Sequence, residues 1–246
     1  MKLGIIGFGK MGKSISSLAA NRGHEVMWVV NSNSGLPYPT ELLQADVAIE
    51  FTRPEAAKNN VEICLKAGLP VVSGTTGWLS GLEAAIKLST QTGTPFVWAA
   101  NYSIGVNLMF AVHQYLAKLM NGHPDYQPSI EEWHHIHKLD APSGTALSLA
   151  NDIISHNHVF HGWEVNSGNC PSGVIPVSAH RTGEIPGTHA VKWISPIDEI
   201  SVKHVAYSRD GFADGAIRAA TWIIGKTGFH TMEAVLGLDK ILPTKI

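Results

Sequence analysis

The feature that most constrains this chain is the run GFGKMG, Gly7 to Gly12, set between an apolar segment, Lys2–Ile6, and a helical one. Gly7, Gly9 and Gly12 fit the pattern GxGxxG. Between a strand and a helix, such glycines permit a tight turn and let the backbone approach a pyrophosphate. The helix N-terminus that follows adds unpaired N–H groups and a favourable dipole. Outside that setting the same run is an ordinary glycine-rich turn. Here the setting is met. Gly12 to Asn21 carries Ile15, Leu18 and Ala19 at helical spacing, Gly23 ends the segment, and Glu25 to Val30 reads as a second buried strand. Such a β-turn-α-β unit matches the mononucleotide half of a Rossmann fold, roughly thirty residues long.

The alternation continues. Strands are expected over Ala45–Phe51, Pro70–Ser73 and Pro95–Ala99, with helices over Pro54–Ala67 and Trp78–Thr90 between them. Pro54 near a helix start and Gly68 just past its end follow the usual asymmetry. After Asn101 the texture changes. A helix over Gly105–Met120 precedes strand-like segments at Ser129–His137, Val174–Arg181, His189–Ile194 and Glu199–Ala206, with few helices between them. A helix returns at Gly215–Ile224, and a short last segment, Met232–Leu238, is expected to pack on the first domain. The expected fold is α/β: an N-terminal Rossmann-type parallel-sheet domain plus a second α+β domain with a mixed or antiparallel sheet. The expected division is 1–103 with 210–246 for dinucleotide binding, and 104–209 for substrate binding and oligomerisation.

Composition narrows the classes. Of 246 residues, 44% are hydrophobic and the net charge is −2, which excludes intrinsic disorder and gives no sign of a nucleic-acid surface. The two cysteines, Cys64 and Cys170, lie far apart, so a disulfide framework is not expected and a reducing cytoplasm is. No leader pattern and no bilayer-length apolar run is present, so neither secretion nor a membrane is expected.

The second strand is followed by Asn31-Ser32-Asn33, with neither the carboxylate that binds ribose hydroxyls nor an arginine. Without the carboxylate a 2′-phosphate meets no repulsion, and Lys10 places a positive charge inside the turn. The pattern leans to NADPH and leaves NADH open.

The chemical centre is EEWHHIHKLDAPSGTA, Glu131 to Ala146. It holds His134, His135, His137 and Lys138, then Pro142, and Ser143 as an N-cap for a helix starting near Gly144. The amides of Gly144 and Thr145 at that helix start suit a carboxylate, with Lys138 as a second anion contact. Histidine is a natural proton donor near neutral pH. On a regular strand His135 and His137 would share one face, and His134 the other. A lone histidine at a strand end would be structural, but three with a lysine ahead of a capped helix point to function. The spacing is not HExxH and no cysteine or helical carboxylate stands near, so no metal is expected.

With these residues in view, the chain resembles the 4-hydroxy-tetrahydrodipicolinate reductase (dihydrodipicolinate reductase) family over nearly its whole length. The resemblance rests on the glycine turn, EFTRPE (Glu50 to Glu55), SGTTG (Ser73 to Gly77), AANYSIGVN (Ala99 to Asn107), HHIHKLDAPSGTA (His134 to Ala146) and HVAYSRDGFADGAIRAA (His204 to Ala220). It implies NAD(P)H-dependent reduction of a small cyclic unsaturated dicarboxylate in lysine and diaminopimelate biosynthesis, by a homotetramer built through the second domain's sheet. It implies His134 as proton donor, Lys138 as second catalytic residue, and His135, Gly144 and Thr145 as dicarboxylate ligands. The cofactor would lie along Gly7, Phe8, Gly9, Lys10, Met11, Gly12, Asn31, Phe51, Thr52, Gly74, Thr75, Thr76, Ala99, Ala100, Asn101 and Tyr102. Arg209 is either a further carboxylate contact or a structural residue. This chain departs from the family in a turn one residue shorter than GxxGxxG, in Asn31-Ser32 where an acid is common, in Ile136 where a base is common, and in a shortened stretch between Asn31 and Phe51. The alternatives are another two-domain dehydrogenase, such as a semialdehyde type with a nucleophilic cysteine, or a non-catalytic NAD(P) sensor.

Overall fold

A computed structural model describes residues 1–35, 39–165 and 170–240. The chain divides into two compact units, Met1–Ile104 with Asp210–Ile246, and Gly105–Arg209. Among the described residues no helix is long and apolar enough to cross a membrane.

In the first unit, β1 (Lys2–Ile6), β2 (Glu25–Val30), β3 (Val47–Glu50), β4 (Val71–Ser73), β5 (Phe96–Trp98) and β11 (Phe229–His230) form one sheet, ordered β11-β5-β4-β3-β1-β2. Every pairing is parallel. Alternating side chains serve two cores. Leu3, Ile5, Val47, Ile49, Val72 and Val97 face α1 (Lys10–Asn21), α7 (Asp210–Ile223) and α8 (Met232–Leu236). Ala48, Val71 and Phe96 face the opposite way, toward α3 (Pro54–Ala67) and α4 (Leu79–Thr92). Strands buried on both faces read as near-continuous apolar runs, which is why this half of the fold is plain in the sequence. The chain runs from β1 outward to β2, then crosses back to β3 on β1's other side. The carboxyl ends of β1 and β3 therefore flank the topological switch point, where open parallel sheets bind ligands.

Local chemistry sets the element ends. Pro54 opens α3, and Gly68 closes it at φ 79° with its N–H on the Cys64 and Leu65 carbonyls. α1 begins at Lys10, two residues before the expected Gly12, because Gly9 itself is the N-cap. α7 begins at Asp210 rather than at Gly215. Its first turn, DGFADG, is polar and glycine-bearing, so apolar periodicity underreads it. In the shortened stretch between Asn31 and Phe51 a one-turn helix, α2 (Pro39–Leu42), is the one element among the described residues between β2 and β3.

The second unit holds α5 (Ile104–Leu119), β6 (Gln127–His134), α6 (Gly144–His156), β7 (Gly162–Val165), β8 (Val174–Arg181), β9 (Gly187–Ile194) and β10 (Glu199–Ala206). Its sheet order is β10-β9-β6-β8-β7. β6 pairs antiparallel with β9 and parallel with β8, so the sheet is mixed. Ala146, Leu149, Ala150 and Ile153 of α6 pack with Ile130, Ile175, Val177, Val191 and Trp193. At the C-terminal end of β6 that buried face turns polar, from Ile130 to Glu132 and His134. The register sets Glu132 opposite His189, His189 opposite His204, and His134 opposite Arg181. A layer of titratable groups thus caps the apolar core. The strand expected to run to His137 ends at His134, so His135 and His137 do not alternate on a strand. Past His134 the chain bends, with Ile136 N–H on the Gly183 carbonyl and Lys138 N–H on that of His135.

Close packing in the first unit is most exacting where α7 meets the segment after β5. A Cβ on Gly215 would stand 1.7 Å from the Tyr102 carbonyl oxygen, a backbone atom that cannot rotate away. Overpacking of this kind costs about 1–3 kcal/mol. Gly215→Ala is expected to lower the urea midpoint accordingly, with an unchanged slope; a midpoint equal to wild type contradicts this packing.

Candidate active site

The three glycines of the turn do different things. Gly7 sits at φ +95° with a would-be Cβ 1.9 Å from the Phe51 carbonyl oxygen, and its N–H donates to the Val30 carbonyl at 2.8 Å. Gly12 has room for no Cβ either, since one would stand 2.0 Å from the Gly7 carbonyl oxygen. These two are demanded by chain packing. Gly9 is not: its φ is −77°, and a Cβ there would meet nothing within 4 Å. Its bareness faces open space ahead of the α1 N-terminus, the place where a phosphate would approach.

That space is a cavity of about 600 Å³ lined by Gly7, Phe8, Gly9, Asn31, Phe51 and Thr52, with Ser32, Ser34, Arg53, Asn59 and Asn60 among its other walls. A second, of about 390 Å³, is lined by Gly9, Lys10, Met11, Thr52, Gly74, Thr75 and Thr76. Both volumes fall in the usual range for small-molecule sites. The cradle fits a dinucleotide: bare backbone at a helix start, hydroxyls along the floor, and no carboxylate at Asn31-Ser32. Arg53, unremarked in the sequence, puts a cation on the larger cavity's wall. The segment Ala99, Ala100, Asn101 and Tyr102 follows β5 and lines neither cavity. The Tyr102 ring is a core group, 1% exposed, with its hydroxyl donating to the Ser73 carbonyl at 2.8 Å.

In the second unit the chemistry gathers on Glu132, whose side chain has no exposed surface. One of its oxygens accepts from the Ser143 N–H at 3.1 Å and from Arg181 Nη2 at 3.0 Å. The other lies 2.7 Å from His134 Nδ1, a close ion-pair contact rather than an aligned hydrogen bond, and 3.9 Å from His189 Nε2. Burial alone would raise this carboxyl, but His134, the Ser143 N–H and Arg181 outweigh it and hold it at about 2. Glu132 therefore stays charged and occupies Nδ1 of His134, leaving Nε2 as that ring's working nitrogen. Gly187 passes close to it: a Cβ there would stand 3.1 Å from Nε2.

Ser143 caps α6, its hydroxyl accepting from the Ala146 N–H at 3.2 Å. The same hydroxyl is 3.0 Å from His189 Nε2, a hydrogen bond whose donor depends on the histidine's tautomer. The His189 pKa is pushed down to about 4 by burial and then by His134, against a smaller opposing pull from Glu132, which favours the neutral ring. Gly144 and Thr145 open the helix as expected. Lys138 Nζ contacts both carboxylate oxygens of Asp140 at 2.8 Å. Arg181 holds that loop from below through the Lys138 carbonyl at 3.3 Å and the Asp140 carbonyl. His135 Nε2 is 2.9 Å from Arg209 Nη2, so Arg209 contacts a histidine and no carboxylate among the described residues. Burial and then Arg209 lower the His135 pKa.

His134, His135, Lys138, Gly144 and Thr145 thus belong to one strand-end, loop and helix-start. Glu132, Arg181 and His189 were missed. Alternation on β6 could have flagged Glu132 as a carboxylate on a buried face, but apart from His134 its partners, Ser143, Arg181 and His189, lie 11 to 57 positions away in the chain. Glu132, His134 and His189 also hold ligand atoms within 4.8 Å of one another. Arg181 and the Ser143 N–H occupy one oxygen of that carboxylate, and the other faces the two histidines. A nucleophilic cysteine finds no support. Cys64 is fully buried, and burial followed by Glu50 pushes its thiol up to about 12.

Two family models match the chain: "Dihydrodipicolinate reductase, N-terminus" over residues 1–102 and "Dihydrodipicolinate reductase, C-terminus" over residues 105–236. A 4-hydroxy-tetrahydrodipicolinate reductase of Christiangramia forsetii is 41% identical over 96% of this chain and 98% of its own. One from Neisseria gonorrhoeae is 38% identical over 80% of this chain and 75% of its own. In fold, the chain is similar to a dipicolinate-bound dihydrodipicolinate reductase from Paenisporosarcina sp. TG-14, at a TM-score of 0.75 and 21% identity over 94% of this chain and 97% of that one.

Two outcomes are expected from this geometry. Gly9→Ala should leave the thermal midpoint unchanged while weakening nucleotide binding at least tenfold in a fluorescence titration; unaltered binding would detach Gly9 from the ligand. The second concerns acid. Unfolded His189 takes up its proton near 6.5 and folded His189 only near 4, so the unfolded state binds more protons between these values. Its contribution is intact above pH 6.5 and is lost as pH falls toward 4, by about 3 kcal/mol. His189→Gln should therefore shrink the stability loss between pH 7 and pH 4.5 in paired urea titrations, and parallel losses in both proteins would refute the assignment.

Proposed function

We propose, for a chain that belongs to the dihydrodipicolinate reductase family, that it reduces 4-hydroxy-tetrahydrodipicolinate to tetrahydrodipicolinate with NAD(P)H in lysine and diaminopimelate biosynthesis. The observation that carries this reading is the Glu132–His134 pair beside the capped start of α6. A charged, buried carboxylate fixes a histidine's Nδ1 within a few residues of a helix N-terminus and a lysine. That is a proton donor set next to a carboxylate site.

The balance of the reaction is substrate, NAD(P)H and one proton giving tetrahydrodipicolinate, NAD(P)⁺ and water. The nicotinamide nucleotide supplies the hydride. The protein's own groups bind, orient and move the proton. The first unit holds the nucleotide along Gly7 to Gly12, Asn31, Phe51, Thr52 and Gly74 to Thr76, with the phosphates at the α1 N-terminus. Ala99 to Tyr102 support that floor from beneath through the Tyr102 hydroxyl. In the second unit Gly144 and Thr145 receive one substrate carboxylate through their N–H groups, and Lys138 and His135 serve the other. Lys138 exchanges Asp140, which is 61% exposed, for the substrate. Protonated His134 donates from Nε2 while Glu132 keeps Nδ1–H and stabilises the cation before transfer.

The absence of a carboxylate at Asn31-Ser32 and the presence of Lys10 and Arg53 favour NADPH, with NADH still accepted. A homotetramer is supported by the second sheet's free edge, where Ile197 and Tyr207 are 93% and 92% exposed beside Ile200 and Val205. The expected setting is the cytoplasm, a reading that the family's biosynthetic role supports.

Steady-state absorbance at 340 nm with NADH and NADPH against the unsaturated dicarboxylate tests the reading, and a lack of turnover with both nucleotides overturns it. His134→Gln is expected to lower kcat by 10²–10⁴-fold, the usual worth of a general acid, with nucleotide affinity unchanged. Full turnover by that variant would remove His134 from the mechanism.

A further inference from the structure

Glu50 is the last residue of β3, and its carboxylate has no exposed surface. Burying a charge is costly unless it is fully hydrogen-bonded. Among the described residues its partners are donors without positive charge. Ser73 Oγ donates at 2.5 Å to one oxygen. Thr75 Oγ1 at 2.8 Å, the Thr52 N–H at 3.1 Å and the Thr52 hydroxyl converge on the other. An apolar residue would cap a buried parallel strand more cheaply, so the carboxylate calls for a reason outside packing.

The donors supply one. Thr52 lies in the loop from β3 to α3, and Thr75 in the loop from β4 to α4. Thr52 lines both cavities beside the glycine turn, and Gly74, Thr75 and Thr76 line the smaller. Glu50 bonds to both loops, and the loops bond to each other, with the Thr52 N–H also donating to Thr75 Oγ1 at 2.8 Å. The Gly74 N–H donates to the Glu50 backbone carbonyl at 2.9 Å. Around the far side, the Thr75 carbonyl accepts from the indoles of Trp78 at 2.7 Å and Trp98 at 2.9 Å. Gly74 packs so tightly on Phe51 that a Cβ would stand 2.1 Å from the ring. The cavity wall is therefore held from behind by one charge that no ligand can touch.

We propose that Glu50 is a positioning residue of the nucleotide site, its buried carboxylate setting Thr52 and the Gly74–Thr76 backbone in the arrangement that receives the cofactor. The proposal rests on the reading of these cavities as the nicotinamide-nucleotide site. The chemistry explains why a carboxylate is required. Every group aimed at Glu50 is a donor, so an amide in its place turns N–H groups toward at least one of them. Aspartate keeps the charge and falls one methylene short of it. Because Glu50 acts through the loops, its loss should be felt in nucleotide binding and not in the proton-donating cluster of the second unit.

The test measures binding apart from turnover, by fluorescence titration of the purified enzyme with NADPH and with NADH. Glu50→Gln, with a native circular dichroism spectrum, is expected to raise Kd for both nucleotides at least tenfold. At saturating nucleotide its kcat should stay within threefold of wild type and its KM for the dicarboxylate within twofold. Glu50→Asp should recover part of the lost affinity. A folded Glu50→Gln protein with wild-type Kd overturns the proposal, as does a variant whose kcat falls while Kd holds. Should Glu50→Gln not fold, Ser73→Ala decides: it removes one donor and leaves the charge, and an unchanged Kd overturns the proposal while a rise of a few-fold supports it. Wild-type protein that binds neither nucleotide overturns the nucleotide reading itself and the role of Glu50 with it, an outcome distinct from equal binding by wild type and variant.

Discussion

Burying the Glu132 carboxylate is the constraint around which the second unit is arranged. A charge with no exposed surface persists only if donors from several directions satisfy it. Here they come from its own strand, from the start of α6 and from β8: His134, the Ser143 N–H and Arg181. Satisfying one residue thus docks a helix start against a strand end, and the loop between them is pinned by the same arginine. The ordering that makes Glu132 tolerable is the ordering that a substrate site needs. Gly144 and Thr145 are fixed because Ser143 is fixed, and His134 is oriented because its Nδ1 is taken.

The first unit uses a related device with a different geometry. Gly7 and Gly12 are glycines because neighbouring carbonyl oxygens occupy the place of a Cβ, whereas a Cβ at Gly9 would meet only open space. Glu50 lies behind the adjacent loops as Glu132 lies behind His134. In both units a carboxylate withdrawn from solvent lies behind residues of the proposed site. Such preorganisation suits a reaction whose bond-making step belongs largely to the cofactor, since binding and proton placement are what remain for the protein.

Much of this was legible in the sequence. The parallel half is, because buried strands flanked by Pro54, Gly68 and the glycine turn carry their own punctuation. The segment from His134 to Thr145 stands out as well, because clustered histidines and a lysine precede a capped helix start. What stays hidden is long-range. Glu132 looks like any strand carboxylate until Arg181, 49 residues on, reaches it. His189 looks structural or catalytic alike until β9 sets it opposite Glu132. The strand end at His134 was misjudged because Ile136 continues an alternating pattern, while the backbone there already bonds to Gly183 and turns. Tyr102, which the resemblance implies at the cofactor, has its ring in the core, where it meets Phe51 of the cavity wall and donates to the Ser73 carbonyl.

On the proposed mechanism a charged Glu132 makes His134 a competent proton donor. The decisive measurement is the kcat of Glu132→Gln at neutral pH and saturating substrates, set beside its nucleotide Kd. A kcat at least tenfold below wild type with Kd unchanged is expected, because the amide cannot stabilise the imidazolium while the first unit is untouched. A folded Glu132→Gln enzyme turning over at the wild-type rate would contradict it.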